Sequence, residues 1–351
     1  MESESNMLVS IQPGRSTDPE ELREHRIRRL PILVLDLHSR CQCKCVMCDI
    51  WRTRESQELD FDLLVRNRDA FAGLKIEWVV LTGGEPLMHS RFIDICTFLK
   101  QEGVRITLLT AGMSLAKRAS EVANCVDEVI ISLDGPRKVH DQIRGVTGAY
   151  DLLTTGILAV LSQRPEMQIR ARTTVQKTNC SALCETVDAA QELDLSGISF
   201  LAADVTSAAF NRQNPRPSSQ APTIALDASE VETLDCEIAR VIKRFEREIA
   251  SGYIAESAAK LRRITHHFRA HLGQRPHQAP LCNAPWVSAV LGHDGSLRPC
   301  FFHEPIGSVS NQTLETALNG RAGWHFRSSL DVERNATCQQ CVCSLYRPHE
   351  D

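Results

Sequence analysis

A chain of 351 residues with 42% hydrophobic and 24% charged side chains can build one large core with an appendage, and its composition is that of an ordinary globular protein. The formal net charge of −4 gives no electrostatic footing for nucleic acid or an anionic membrane, and no apolar run approaches the ~18 residues that cross a bilayer. The first residues lack the basic, apolar and small-residue zones of a secretory signal, so the expected compartment is cytoplasmic; thiols stay reduced there, and the 14 cysteines read as metal or cluster ligands before disulfides.

Residues 1–30 are polar and charged and read as a lead-in without a core of its own. From Pro31 short apolar runs alternate with helical patterns. Strands are expected at Ile32–Leu37, Ile76–Leu81, Val104–Leu109, Glu128–Leu133, Gln168–Val175 and Gly197–Ala202, and helices near 60–72, 91–102, 115–123, 149–163 and 181–193. This is the rhythm of βα units on a parallel sheet. Six repeats are too few for a closed eight-fold barrel, so the expected fold class is α/β, a partial (β/α)6 TIM-like barrel over residues 31–205. A linker at Asn214–Pro222 and amphipathic helices from about 228 to 272 occupy residues 206–280, and a small cysteine-rich domain with a turn at Asp294-Gly295 occupies 281–351.

Four thiols crowd into the eight residues Cys41–Cys48, directly after the first strand. Cys41, Cys45 and Cys48 have the spacing C-x3-C-x2-C, which can wrap three thiolates around one corner of a cubane iron–sulfur cluster and leave one iron open to a small molecule. A zinc knuckle, or oxidised pairs in a secreted protein, fits the same residues. Cys43 fits a cubane corner less naturally and is read as a bystander. Gly83-Gly84-Glu85-Pro86 follows the second strand; paired glycines allow close backbone approach and Glu85 can accept an amine, while a plain strand-ending turn explains the glycines equally well. Asp134-Gly135 closes the fourth strand. All three motifs fall after the carboxyl ends of strands, where α/β enzymes carry reactive groups, and that coincidence moves the reading from metal-binding protein to enzyme. Arg170, Arg172, Gln176 and Asp204 lie at the ends of strands five and six and face the expected pocket; any of them could orient a substrate, Arg172 and Asp204 are the candidates for a catalytic role, and no catalytic base is identified. Cys96, Cys125, Cys180, Cys184 and Cys236 read as buried small apolar residues. His266, His267 and His271 read as a solvated helix face.

Cys41, Cys45 and Cys48, then Gly-Gly-Glu-Pro after the next strand, resemble the radical S-adenosylmethionine (SAM) superfamily over residues 31–205. The resemblance implies a [4Fe–4S] cluster on the three cysteines, with SAM chelating the open iron. It places the methionine amine at Gly83, Gly84 and Glu85, with Pro86 completing the turn. Met47 stands where the family often has an aromatic residue near the adenine. Ser132-Leu133-Asp134-Gly135 resembles the family's Ser-x-Asp-Gly beside the ribose and methionine, and Arg144 matches an arginine that pairs the ligand's carboxylate. Thr110-Ala111-Gly112 replaces Thr-Asn-Gly, so a side-chain amide is missing there. Downstream, Cys282-x12-Gly295-x4-Cys300 and Cys338-x2-Cys341 resemble the auxiliary-cluster extensions of the superfamily, the long SPASM form with seven cysteines and the shorter Twitch form with four. The late cysteines favour one auxiliary [4Fe–4S] on Cys282, Cys300, Cys338 and Cys341, with Cys343 able to replace Cys341 and zinc as the alternative occupant.

The function so implied is reductive cleavage of SAM to a 5′-deoxyadenosyl radical that abstracts hydrogen, in a net oxidation of a small molecule such as a sugar or aminocyclitol. A maturase of peptides or protein side chains is the alternative within the family, and a non-catalytic zinc–thiolate protein the alternative outside it. An electron donor such as flavodoxin or ferredoxin is the implied partner.

Overall fold

Strands whose two faces are both apolar need cover on both sides, and a sheet that curls on itself beneath a layer of helices supplies it. The computed structural model describes residues 25–207, 209–211 and 221–348, so most of the lead-in and of the expected linker lie outside the described residues. β1 (Ile32–Asp36), β2 (Trp78–Thr82), β3 (Arg105–Thr110), β4 (Glu128–Ser132), β5 (Gln168–Val175) and β6 (Gly197–Ala202) are parallel and ordered β6-β5-β4-β3-β2-β1, the expected partial barrel. Leu33, Leu35 and Val79 pack outward among the helices, whereas Ile32, Trp78 and Val80 form a separate cluster on the inner face.

The connecting helices are α1 (Phe61–Arg66), α2 (Arg68–Gly73), α3 (Phe92–Gln101), α4 (Ala119–Cys125), α5 (Arg137–Arg144), α6 (Ala149–Gln163) and α7 (Leu183–Glu192). The single helix expected over 60–72 breaks at Asn67, a buried side chain that donates to Leu63 O (2.8 Å) and accepts the Leu314 N–H (2.6 Å). α5 was not expected: it follows Pro136, and its sequence RKVHDQIR buries His140 and Arg144 with only Ile143 as apolar company, so no hydrophobic period marks it. Beyond the barrel, α8 (Ala228–Arg244) packs on α7, and α9 (Ala258–His271) on α8 and β6.

The cysteine-rich stretch joins the same sheet. β7 (Ser288–Leu291) pairs in parallel with β1, and β8 (Ser296–Arg298) and β9 (Gly307–Ser308) continue antiparallel, with Gly295 at φ 77° in the expected turn. The C-terminal segment then returns into the barrel. Leu345 packs on the inner cluster, Asn283 and Arg347 exchange hydrogen bonds of 2.7 and 3.0 Å, and Arg347 reaches Glu77 at 2.5 Å beside Arg29. A polar chain crosses the barrel interior above: the Trp78 indole donates to Thr107 (2.8 Å), Thr107 to Glu128 (3.2 Å), and Arg105 (3.0 Å) and Arg170 (3.7 Å) pair with the same carboxylate. Arg170 is thus spent on a structural ion pair and does not reach the rim. Among the described residues no single helix is long and apolar enough to cross a membrane.

Candidate active site and auxiliary metal centre

The loop after β1 is clamped on two sides. On one, Gly84 N–H donates to His38 O (2.7 Å) and Glu85 N–H to Arg40 O (2.9 Å). A Cβ on Gly84 would lie 2.1 Å from Arg40 O, and one on Gly83, at φ +132°, 2.4 Å from Asp36 Oδ1, so only glycine lets the turn lie against the cysteine loop. On the other, Lys44 N–H donates to Arg144 O (2.9 Å) and Val46 N–H to Ile143 O (3.1 Å), and Gly145 at φ +62° leaves room for Lys44 O. The turn after β2 and the end of α5 together set the course of the loop.

Within it Cys41, Cys43, Cys45, Met47 and Cys48 pack with Ala111 and Met113. Cys43 is buried with its thiol between Cys41 and Cys45, and hydrogen bonding to both pushes its pKa well up. The Cys45 thiol is pulled down by its neighbour Cys43 and, against burial, by the Arg144 guanidinium, whose NH1 stands 3.6 Å from Cys45 Sγ. The other arm of that guanidinium forms a buried ion pair with Asp134 Oδ2 at 2.5 Å, and Arg144 Nε is buried with no acceptor among the described residues. Asp134 also accepts from Thr174 N–H (3.0 Å), and its main chain donates to His140 Nδ1 (3.3 Å).

Glu85 is fully buried. Its oxygens accept from Thr110 Oγ1 (2.8 Å), Ala111 N–H (3.0 Å) and Leu87 N–H (3.2 Å), and burial raises its pKa despite those donors. Pro86 is buried as the first residue of the 3-10 turn Pro86–Met88. Ser132 ends β4 opposite Arg172, and Met47 Sδ accepts from Gln176 Nε2 at 3.6 Å. Asp204 accepts from Thr206 N–H (2.9 Å) and Ser207 N–H (3.1 Å) and so caps its own loop.

His140 yields a pH prediction. Burial pushes its pKa down to about 4, so the folded protein keeps it neutral while the unfolded chain protonates near 6.5. Its contribution is present above that value and lost as pH falls toward 4. Acidification from pH 7 to 5 is expected to remove about 2 kcal/mol through this group alone, and His140→Gln to flatten the urea midpoint over that interval; an unchanged pH slope in the variant would count against it.

The late cysteines meet elsewhere. Cys282, Cys300, Cys338, Cys341 and Cys343 all line one cavity of about 240 Å³ between the barrel interior, β6 and α9. Nitrogens already face several sulfurs: Ala284 N–H lies 3.5 Å from Cys282 Sγ, the Phe302 and His303 N–H groups face Cys300, and His303 Nε2 lies 3.4 Å from Cys338 Sγ. Arg263 donates to Cys341 O at 3.0 Å. Among the described residues no three His, Cys, Asp or Glu side chains already stand in position to hold a metal ion; the thiols share a cavity rather than a point. Arg172 lines this cavity, as do Glu256, Lys260, Arg263 and His267.

Glu256, Lys260 and Arg263 were missed by sequence reasoning, although Lys260 and Arg263 recur with His267 at helical spacing on one face of α9. His267 is buried with its pKa pushed down to about 4, which corrects the solvated-face reading; the ring of His266 reaches Pro276 O (3.1 Å). Of the scattered cysteines, Cys96, Cys180 and Cys184 are buried, but Cys125 is half-buried and Cys236 exposed.

Residues 36–160 match the Radical SAM superfamily model, and residues 282–342 match SPASM, an iron–sulfur cluster-binding domain. The chain therefore carries a radical SAM region followed by a SPASM region. It is 25% identical over 203 residues to the Fe-coproporphyrin III synthase of Methanosarcina barkeri, covering 54% of this chain and 49% of that one. Streptococcus suis SuiB bound to its precursor peptide SuiA superposes with TM-score 0.63 at 16% identity, over 93% of this chain and 72% of that one; anSMEcpe with bound AdoMet gives 0.63 at 14%, over 90% and 88%. The chain spans about half the length of the curated relatives it matches, and the solved structures speak for the fold.

The radical SAM cofactors are a [4Fe–4S] cluster with SAM, and the SPASM region adds an auxiliary iron–sulfur cluster. Each fits its thiol set. Three thiols on a clamped loop suit a cubane with one open iron, and the unpartnered Arg144 Nε beside them suits an anionic ligand group. At the second set, a main-chain N–H and an imidazole nitrogen that can carry a proton stand beside sulfur, an environment that suits thiolates bound to iron.

Proposed function

We propose that this protein is a two-cluster radical SAM enzyme that oxidises a small molecule by hydrogen abstraction, a sugar or aminocyclitol being the class in view, with a flavodoxin- or ferredoxin-type electron donor. The observation that carries the reading is the cavity of about 240 Å³ within the barrel, walled by the five late cysteines, by an ionisable helix face and by Leu345 with the inner apolar cluster. That space suits a small substrate better than a threaded peptide. When bound, the first cluster and SAM supply the 5′-deoxyadenosyl radical, and the auxiliary cluster an acceptor for the substrate's remaining electron.

The chain's own residues do the rest. Cys41, Cys45 and Cys48 would hold the first cluster and Cys282, Cys300, Cys338 and Cys341 the second. Gly83, Gly84, Glu85 and Arg144 shape the SAM side, where Asp134 holds Arg144 in place. Arg172 and Lys260 offer cations to substrate oxygens. Glu256 is fixed by the Phe200 N–H (2.8 Å) and its pKa is pushed up to about 7 by burial, which suits it to receive the proton released on oxidation.

Reduced protein incubated with SAM and C-deuterated sugars or aminocyclitols is expected to yield deuterated 5′-deoxyadenosine. Label arriving only from peptide substrates would overturn the small-molecule reading in favour of a maturase.

A further inference from the structure

We propose that His303 is a positioning residue of the auxiliary cluster: its main-chain N–H and its imidazole donate to two different cluster thiolates and hold the cluster's reduction potential up. The inference rests on the reading of Cys282, Cys300, Cys338 and Cys341 as the auxiliary ligands.

His303 stands three residues after Cys300 and thirty-five before Cys338 in the chain, and it touches both. Its N–H, with that of Phe302, faces the Cys300 sulfur across a turn. Its Nε2 lies 3.4 Å from Cys338 Sγ. Neither end is loose. The ring packs edge-on against Phe326 with centroids 4.8 Å apart, and Arg298 NH1 donates to His303 O at 3.3 Å. On the far side, Cys338 N–H bonds Asn335 Oδ1 (3.1 Å), which fixes the turn that carries the thiol. One residue therefore ties the two halves of the ligand set, which come from opposite ends of the C-terminal region.

An N–H···S bond withdraws charge from a thiolate. The reduced cluster carries one more negative charge than the oxidised one, so the bond favours the reduced state and raises the potential. In a half-buried cavity the effect is stronger than in water. An electron acceptor for a substrate radical needs such a bias.

The test uses full-length holoprotein, reconstituted anaerobically without substrate, and potentiometric titration followed by electron paramagnetic resonance. His303→Leu is expected to keep about eight irons per chain, to shift the auxiliary potential downward and to leave the first cluster's potential where it was. His303→Gln, whose side-chain N–H reaches the place of Nε2, is expected to restore most of the shift. Should the leucine variant shed iron, His303→Asn, too short to reach Cys338, takes its place with the same reading. An unchanged auxiliary potential in the donor-free variant overturns the proposal, as does equal loss of auxiliary iron from the asparagine and glutamine variants, which would make the role structural. Wild-type protein with only about four irons overturns the ligand assignment as well. None of these readouts uses a substrate, so they stand apart from failure of the oxidation reading.

Discussion

Replacing Cys41, Cys45 and Cys48 together with alanine is expected to abolish reductive cleavage of SAM and to lower the iron content from about eight to about four per chain. Three thiolates are the minimum that holds a cubane and leaves an iron open, and no other cysteine is placed to substitute. Cys43 is the nearest, but it sits two residues from Cys41 and Cys45 with its thiol turned between theirs, so it cannot span the corner that Cys48 completes. The rate of 5′-deoxyadenosine formation should fall to background, the loss of an enzymatic acceleration on the order of 10⁶-fold or more. Cys43→Ala should keep both the iron and the cleavage. The C-terminal set should retain its four irons in the triple variant, because its cavity lies between β6, α9 and the last residues and shares no ligand with the loop after β1. Cleavage that survives the triple replacement, or wild-type protein that holds zinc without acid-labile sulfide, would overturn the cluster assignment.

Much of this arrangement was legible in the sequence. The six strands of the barrel are short apolar runs set between helical patterns, and their ends fall within about two residues of the expected places. β5 and β6, and helix α6, match residue for residue. The thiol sets were legible because cysteine at ligand spacing has few competing explanations in a reducing compartment.

What stayed hidden depends on contacts between distant segments. Gly83 and Gly84 looked as much like a strand-ending turn as a ligand cradle, and their reason is the Arg40 and Asp36 atoms that press on them, more than forty residues earlier. Arg144 was matched to a ligand carboxylate, yet its first partner is Asp134, because a guanidinium this deep must be neutralised within the protein. β7 is four residues long and carries no signal that it will extend the sheet at β1; that follows from the free edge β1 would otherwise present. His266, His267 and His271 read as a solvated face because polar helix residues usually meet water, and the cavity behind α9 reverses that for His267 alone.

The second large effect is expected at the pair that ties α5 to β4. Asp134 has no exposed side-chain surface and Arg144 only 8%, so Asp134→Ala strands a guanidinium where water does not reach. Breaking one side of a buried pair costs about 3–5 kcal/mol, a large part of the stability of an ordinary domain. Asp134→Asn should cost less, since its amide oxygen still accepts the Thr174 N–H that now lies 3.0 Å from Oδ1. Replacing both partners, Asp134→Leu with Arg144→Met, should recover most of the loss, because two apolar side chains leave no charge to desolvate. Urea midpoints on anaerobic protein at one pH check this, with an unchanged m-value showing that the unfolded state is not the cause. The double replacement should nevertheless remain inactive in SAM cleavage. Ile143 O and Arg144 O accept from the cysteine loop, and the Arg144 guanidinium touches Cys45, so a stable protein without that cation still lacks the charge beside its first cluster. Stability that returns without activity separates the structural work of the pair from its electrostatic work at the site; an Asp134→Ala protein within about 1 kcal/mol of wild type would mean that water reaches Arg144 after all.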